Sequence, residues 1–494
     1  MTHAFGDVEG GRVRRTRSTA LRRRGEPRSW WGVVRDSADS FVKRSPSRFA
    51  ILVFSGLVLI FTLLFSLPIA RAGSGSAAPL HDAFFTAVSV ICVTGLSTVD
   101  MATYWSPFGN LLVFVGVNIG GVGVLTLATT LGLIISRRLG LRAKLMAASD
   151  TNPSRIHVGP VAEGQAIRLG EVGGLLLTVA VSALVIEGVV AAAMFPSMLA
   201  AGYDVFHSIW YAMYYSAMAF TNTGFNPNPG GLEPFLHDYW LQSWLMLGVF
   251  LGSLGFPVIF ALARGWRQPR KWSLHVKLTL ATTTILFFAG AAMYLLLEHS
   301  NPKTYGSLDA GQTIFQSMFM SVMARSGGFA TVNMHDLYGS SQLVTDMLMF
   351  VGGGSASTAG GIKVTTLAVL FLAAFAEARG APSMEVFGRR IPRDMLRLSV
   401  AVVLWGSTIV AAASIAILQI SKEPFDYVLF DVISAFATCG LSTGLTADLP
   451  PAGVYVMAFT MFFGRIGTVT FAAALAASQR RQLFKRPEER PIVG

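Results

Sequence analysis

The chain has 494 residues and a formal net charge of +12, yet only 13% of its residues are charged and 52% are hydrophobic. Soluble domains carry roughly 25% charged residues, so an ordinary soluble globular fold is excluded. The basic excess is confined to particular segments, which argues against a nucleic-acid partner.

A basic segment over residues 1–48 leads into apolar runs at 49–67, 108–135, 171–195, 240–263, 275–297, 343–377 (interrupted), 396–418 and 452–477. About 20 apolar residues suffice for a helix to cross a bilayer, so these runs predict eight crossings. The first run ends in Ala70-Arg71-Ala72, which looks like a signal-peptidase site. It is nevertheless longer than the roughly 7–15 apolar residues of a signal peptide, and it predicts a retained helix. Of the 39 Lys and Arg residues, 12 fall in 1–48, 6 in 137–168, 5 in 264–277, 5 in 379–397 and 5 in 480–490. The intervening connections hold only Arg71, Lys303 and Lys422. Basic residues accumulate in cytoplasmic loops, so both termini are expected in the cytoplasm, with the basic tail on anionic lipid.

Between the crossings lie four apolar stretches too short to span: 82–92, 204–220, 309–324 and 427–437. Each ends in a glycine segment: Cys92-Val93-Thr94-Gly95-Leu96, Thr221-Asn222-Thr223-Gly224-Phe225, Arg325-Ser326-Gly327-Gly328-Phe329 and Thr438-Cys439-Gly440-Leu441. Their glycines are 129, 104 and 112 residues apart, and Ser89 and Ser434 both stand six residues before theirs. The unit helix, half-helix, turn, helix is thus expected four times. Irregular backbone at bilayer depth must be buried by protein or line a watery cavity. Half-helix C-termini favour a cation, and a ring of carbonyls can replace an alkali ion's water. The alternative is four tight packing turns.

The expected organisation is a tail (1–48), pore repeat 1 (49–135), a cytoplasmic loop (136–168), repeat 2 (169–263), a loop (264–274) and repeat 3 (275–377). A loop (378–395), repeat 4 (396–478) and a tail (479–494) follow. The fold class is all-α integral membrane, with eight transmembrane helices and four half-helices in pseudo-fourfold symmetry. Three second helices carry small-residue marks: Gly120-Gly121-Val122-Gly123, Gly252-Ser253-Leu254-Gly255 and Gly464-Arg465-Ile466-Gly467. Such residues let helices approach closely.

Repeat 3 instead has Gly352-Gly353-Gly354-Ser355-Ala356-Ser357-Thr358-Ala359-Gly360-Gly361-Ile362-Lys363. Each of its glycines would cost about 1 kcal/mol against Ala inside a helix. A mobile loop breaking the helix is expected, and its occurrence in one copy only points to a gate over 352–362. A phosphate-binding loop needs Gly directly before Lys, and Ile362 intervenes. Arg465 is too deep to snorkel and needs interior partners, which the loop's carbonyls would supply. It either opposes cation passage or pins helices together, and Lys363 is open to the same two roles. Asp100, Asp336 and Asp448 follow filter glycines and either attract cations at the outer mouth or cap loops. Glu187, inside a crossing, is expected to hydrogen-bond a neighbouring helix. Cys92 and Cys439 show no ligand spacing and are read as small buried thiols. The eight histidines are scattered, so no enzyme site is expected.

Ser357-Thr358-Ala359-Gly360-Gly361-Ile362-Lys363, the Thr-Gly-Leu-Ser-Thr of the first copy and Gly464-Arg465-Ile466-Gly467 resemble the membrane subunits of the Trk/Ktr/HKT superfamily of potassium transporters, over roughly residues 45 to 480. The bacterial Ktr type is the nearer match. The resemblance implies K⁺ bound at a filter of Val93, Thr94, Gly95, Asn222, Thr223, Gly224, Ser326, Gly327, Gly328, Thr438, Cys439 and Gly440. It implies a gate of Gly352, Gly353, Gly354, Ser357, Thr358, Gly360, Gly361, Lys363 and Arg465. Gly95, where sodium-admitting members tend to have serine, implies potassium preference. Cys439 and Gly327 depart from the family's usual small aliphatic residue and alanine. The resemblance further implies uptake across a bacterial plasma membrane, no cofactor in this chain, and Na⁺ as a candidate activator or coupling ion. Its partners would be a second copy in a homodimer, a cytoplasmic ring of nucleotide-binding regulatory subunits and the lipid bilayer. The alternative function is an alternating-access transporter of another solute, which predicts inverted halves and buried substrate-binding side chains.

Overall fold

In the computed structural model, residues 46–73, 75–138 and 169–467 are described; the expected tails 1–45 and 479–494, most of the loop 136–168 and the end of the last apolar run lie outside them. Helices α1 (Pro46–Phe65), α2 (Leu80–Ile91) and α3 (Pro107–Arg138) come first. Then come α4 (Leu169–Ala200), α5 (Val205–Thr221), α6 (Tyr239–Leu254) and α7 (Phe256–Gly265). The third group is α8 (Leu274–Glu298), α9 (Ala310–Met323), α10 (Gly339–Phe350) and α11 (Val364–Ala378). The last is α12 (Arg393–Ser421), α13 (Phe425–Ala437), α14 (Leu445–Asp448) and α15 (Pro451–Phe462), closed by a π turn at Phe463–Gly467.

The short helices α2, α5, α9 and α13 occupy the interior. Their starts are set by fixed-φ or capping residues: Pro79 before α2, Pro424 before α13, Asp204 accepting from the Phe206 and His207 amides, and Asp309 in a reciprocal cap with Gln312. They bury polar side chains such as Ser89, Ser216, Gln316 and Asp431. The long helices surround them and turn Leu59, Leu184, Leu296 and Leu404 outward. An apolar exterior around a partly polar interior suits lipid and not water as the outer medium. Among the described residues, Leu177–Ala200, Leu274–Glu298 and Arg393–Ser421 are each long and apolar enough to cross a membrane.

Two features differ from the sequence expectation. The run 240–263 is not one helix: α6 and α7 meet at Gly255 with a bend of 104°. Gly255 has φ +86, and Pro257 in the first turn of α7 lacks the amide that would continue α6. Repeat 3 is therefore not alone in having a broken second helix. The connection 378–395, expected as a plain loop, contains the hairpin β1 (Met384–Val386) and β2 (Arg389–Ile391). Phe387 and Gly388 both take positive φ in its two-residue turn, the geometry such hairpins require.

Candidate functional site

Three of the four interior helices end the same way. Val93, Asn222 and Thr438, two residues before their segment's glycine, have φ 57, 62 and 48, and Ser326 in the third segment has φ 125. In three segments two backbone bonds close the helix end. The amide of the positive-φ residue donates three residues back, as Val93 does to Val90 at 3.2 Å. The next amide donates five back: Thr94 to Ser89 (2.8 Å), Thr223 to Met218 (2.8 Å) and Cys439 to Ser434 (2.9 Å). This double closure is the Schellman ending. The third segment departs, with the Gly327 amide on the Met323 carbonyl at 2.7 Å. The glycines of the four segments then take φ 91, 83, 73 and 99 at positions 95, 224, 328 and 440.

The four segments come together. A Cβ built on Gly440 would lie 2.5 Å from the Thr94 carbonyl oxygen and 2.9 Å from that of Thr223. One on Gly328 would lie 2.5 Å from the Cys439 oxygen and 2.9 Å from the Thr223 oxygen. One on Gly224 would lie 2.8 Å from the Gly327 oxygen, and one on Gly95 would overlap the Thr223 oxygen outright. The carbonyls of Thr94, Thr223, Gly327 and Cys439, each just before its glycine, thus face a neighbouring segment's glycine. No side chain could stand between them.

Side chains hold this backbone from behind. The hydroxyls of Ser89 and Ser434 accept from the amides of Gly95 and Gly440, both at 3.2 Å. Asn222 donates to the Val249 carbonyl at 3.3 Å. The Ser326 hydroxyl donates to the Thr438 carbonyl at 3.5 Å, joining segments three and four. Cys439 turns its thiol toward the Met323 and Ala324 carbonyls, at 3.6 and 3.5 Å. A Cβ on Gly327 would press on Met323, 2.5 Å from its Sδ, so glycine there accompanies a bulky neighbour. Both cysteines are buried and free.

The outgoing strand of each segment is gripped by a polar side chain of its own interior helix, a role not foreseen from sequence. The Thr98 hydroxyl donates to Asp82 (2.7 Å), Tyr215 donates to Asn228, and the Thr331 hydroxyl donates to Gln316 (2.8 Å). Asp431 accepts from the amides of Thr443 and Thr446 and the hydroxyls of Ser442, Thr443 and Thr446. Helix-borne acceptors and donors near each half-helix would have been the only sequence signal.

The segment 352–362 lies beside these strands and is tied down on three sides. On α6 and α7 it makes three backbone bonds: Gly354 amide to Ser253 oxygen (2.8 Å), Thr358 amide to Gly252 oxygen (3.2 Å) and Phe256 amide to Ala356 oxygen (3.3 Å). The Thr358 hydroxyl reaches the Phe220 carbonyl (3.0 Å) and the Asn222 side chain (2.8 Å). The Gly360 amide donates to the Ser326 hydroxyl at 3.3 Å. A Cβ on Gly360 would overlap the Thr438 hydroxyl, so the loop sits against segment four as well. Ser357 closes the loop on the Gly354 carbonyl at 2.6 Å, and Val351 pairs with Ile362 as an isolated bridge. Gly353 packs against the Ser253 carbonyl, 2.6 Å from a built Cβ, while Gly352 and Gly361 abut each other's strand.

Arg465, in the π turn and only 3% exposed, donates from Nη1 to the Thr358 carbonyl at 2.5 Å and to the Thr438 hydroxyl at 3.5 Å. It therefore clasps loop and fourth segment together. Lys363 folds back onto the Ala359 carbonyl at 2.6 Å. The small residues marked in sequence serve the same core: built Cβ atoms on Gly120, Gly252 and Gly464 would overlap the carbonyls of Ile91, Phe220 and Phe436, each four residues before its segment's glycine.

Of the two roles open to Asp100, Asp336 and Asp448, attracting cations or capping loops, the contacts of the first two favour a local structural one. Asp100 accepts from the Ala102 amide and Thr103 hydroxyl, Asp336 pairs with Lys303 at 3.2 Å, and Asp448 ends α14. None of them lines the cavity above the glycine segments. Glu187 is buried, but its contact with the neighbouring helix is through its backbone carbonyl, which accepts from Ser216 at 2.6 Å. Among the described residues no cluster of His, Cys, Asp or Glu could hold a metal ion.

Residues 32–482 match the family model described as "TrkH: Cation transport protein". The chain is 34% identical to the Ktr system potassium uptake protein B of Vibrio alginolyticus, over 93% of this chain and 98% of that protein. It is 32% identical to the Ktr system potassium uptake protein D of Bacillus subtilis, over 91% of this chain and 97% of that one. The fold matches the crystal structure of the potassium transporter TrkH from Vibrio parahaemolyticus, with a TM-score of 0.65 at 17% identity, covering 88% of this chain and 85% of that one. This chain is a multi-pass membrane protein and belongs to the TrkH family of cation transport proteins.

Proposed function

We propose that the chain is the pore-forming subunit of a potassium uptake system. Dehydrated K⁺ would pass between the four glycine segments, coordinated by backbone groups of residues 93–95, 222–224, 326–328 and 438–440. The observation that carries this reading is the convergence of the Thr94, Thr223, Gly327 and Cys439 carbonyls on neighbouring glycines. Oxygens so placed can stand in for a cation's hydration shell. The four half-helix C-termini behind them add their dipoles with the same sign. The names of the relatives, potassium uptake proteins of Ktr systems, support K⁺ as the cargo.

The loop 352–362 with Arg465 acts as the gate in this reading. Its bonds to segments two and three, and its link through Arg465 to segment four, support a closed position directly against the conduction line, where Arg465 adds a positive charge. The four repeats around the segments, with the boundaries given above, form one pseudo-fourfold pore. A homodimer on a ring of nucleotide-binding subunits is the proposed assembly. The hairpin β1–β2, with Arg389 and Arg390 exposed, is its candidate cytoplasmic contact. Expression in a bacterium lacking its own potassium uptake tests the reading: growth at low K⁺ and K⁺ accumulation are expected, and a correctly inserted chain that restores neither overturns it.

A further inference from the structure

Above the glycine segments lies a cavity of about 310 Å³, walled by Asn226 and residues 230–233, by Gly328 and residues 330–334, and by residues 440–442. Gly328 and Gly440 form part of its lining, so it opens onto the backbone that the proposed function assigns to ion binding. Among its lining residues Glu233 is the one with an ionisable side chain. It stands exposed at the start of a single 3₁₀ turn, Glu233–Phe235, and no cation pairs with it among the described residues. Asn226 lines the same cavity, but its Oδ1 is buried and not open to it. Asn333, across the cavity, has its Oδ1 occupied by the His335 amide at 3.0 Å.

We infer that Glu233 makes this cavity an outer capture site that gathers hydrated monovalent ions before they enter the filter. The inference rests on the proposed function and adds to it a residue that sets apparent affinity. A carboxylate on the wall of a concave, protein-lined mouth raises the local concentration of a counter-ion. The chemistry opposes anions and does not choose between K⁺ and Na⁺, so it governs capture and leaves selection to the backbone below. The aspartates at 100 and 336 cannot replace Glu233, because their carboxylates are engaged in a loop cap and an ion pair.

The test measures K⁺ uptake by cells expressing the full-length chain, in sorbitol-balanced medium of low ionic strength and again with choline chloride added. Glu233→Gln is expected to raise the KM for K⁺ on the order of two- to fivefold at low ionic strength, with the maximal rate held. Glu233→Lys is expected to raise it further, and Glu233→Asp to restore it. Added salt should bring the Gln variant back toward the native chain, because exposed charges are screened over about 8–10 Å at physiological salt. An unchanged KM in the Gln and Lys variants overturns the inference while leaving the transport reading intact. A KM shift in Glu233→Gln that survives added salt also overturns it, because it marks a structural role. If the native chain itself moves no K⁺, the transport reading falls and this inference with it.

Discussion

Val93 and Thr438 carry β-branched side chains at φ 57 and 48, a region such residues avoid. Each strained residue of this kind costs of order 1–3 kcal/mol and persists only where its surroundings hold it. Here the surroundings are the Schellman bonds at the helix ends and, for Thr438, the Arg465 contact on its hydroxyl. The strain has a purpose. Turning the chain at that residue frees the next carbonyl from the helix and directs it at the neighbouring segment. The following glycine then admits its neighbour's oxygen where any Cβ would collide, and Gly95 is the tightest case. Gly95→Ser is therefore expected to displace the Thr223 carbonyl and widen the ring, lowering K⁺ preference and raising Na⁺ permeation. Competition of Na⁺ with K⁺ uptake measures it; an unchanged ion preference would remove Gly95 from the filter.

At the scale of elements, the loop 352–362 is better anchored than its five glycines imply. Its backbone groups are matched by the carbonyls and amide exposed at the α6–α7 break, so the two interruptions satisfy each other's hydrogen bonds. An unpaired buried backbone group costs about 1–3 kcal/mol, which is the reason two adjacent helices break together. Shortening the loop by deleting residues within 353–360 is expected to increase K⁺ flux without changing the K⁺/Na⁺ ratio. Loss of flux in a well-inserted protein would contradict a gating role. A subtler variant addresses the same contact from the other side. A Cβ on Gly255 would lie 2.7 Å from the Ser355 carbonyl and 2.8 Å from that of Ala356. The backbone there, at φ 86 and ψ 151, lies in a region essentially confined to glycine and adds of order 1–3 kcal/mol for a side-chain-bearing residue. Gly255→Ala is thus expected to loosen the loop and raise basal uptake in the absence of regulatory subunits, with selectivity kept. An unaltered basal rate would separate the α6–α7 break from gating.

At the scale of the whole molecule, what could be read from the sequence divides along physical lines. The four glycine segments stood out because each follows an apolar stretch too short to cross a bilayer. The loop stood out because Gly352 to Gly361 cannot sustain a helix. The break at Gly255 was hidden, since apolar residues continue on both sides and only Gly255-Phe256-Pro257 hinted at it. The grips by Asp82, Tyr215, Gln316 and Asp431 were hidden too, because their residue types differ and they stand 13, 9, 12 and 9 residues before their glycines. The orientation of the chain rests on charge alone and can be tested alone. Lys303 and Lys422 lie in the basic-poor connections, Arg267 and Arg389 in the basic-rich ones, and all four are exposed. Cys92 and Cys439 are fully buried and should give little background to a thiol reagent. A membrane-impermeant maleimide applied to intact cells is therefore expected to label Lys303→Cys and Lys422→Cys. Arg267→Cys and Arg389→Cys should react only after the membrane is permeabilised. The reverse pattern would place the cavity lined by Glu233 on the cytoplasmic side and turn the proposed direction of ion entry around.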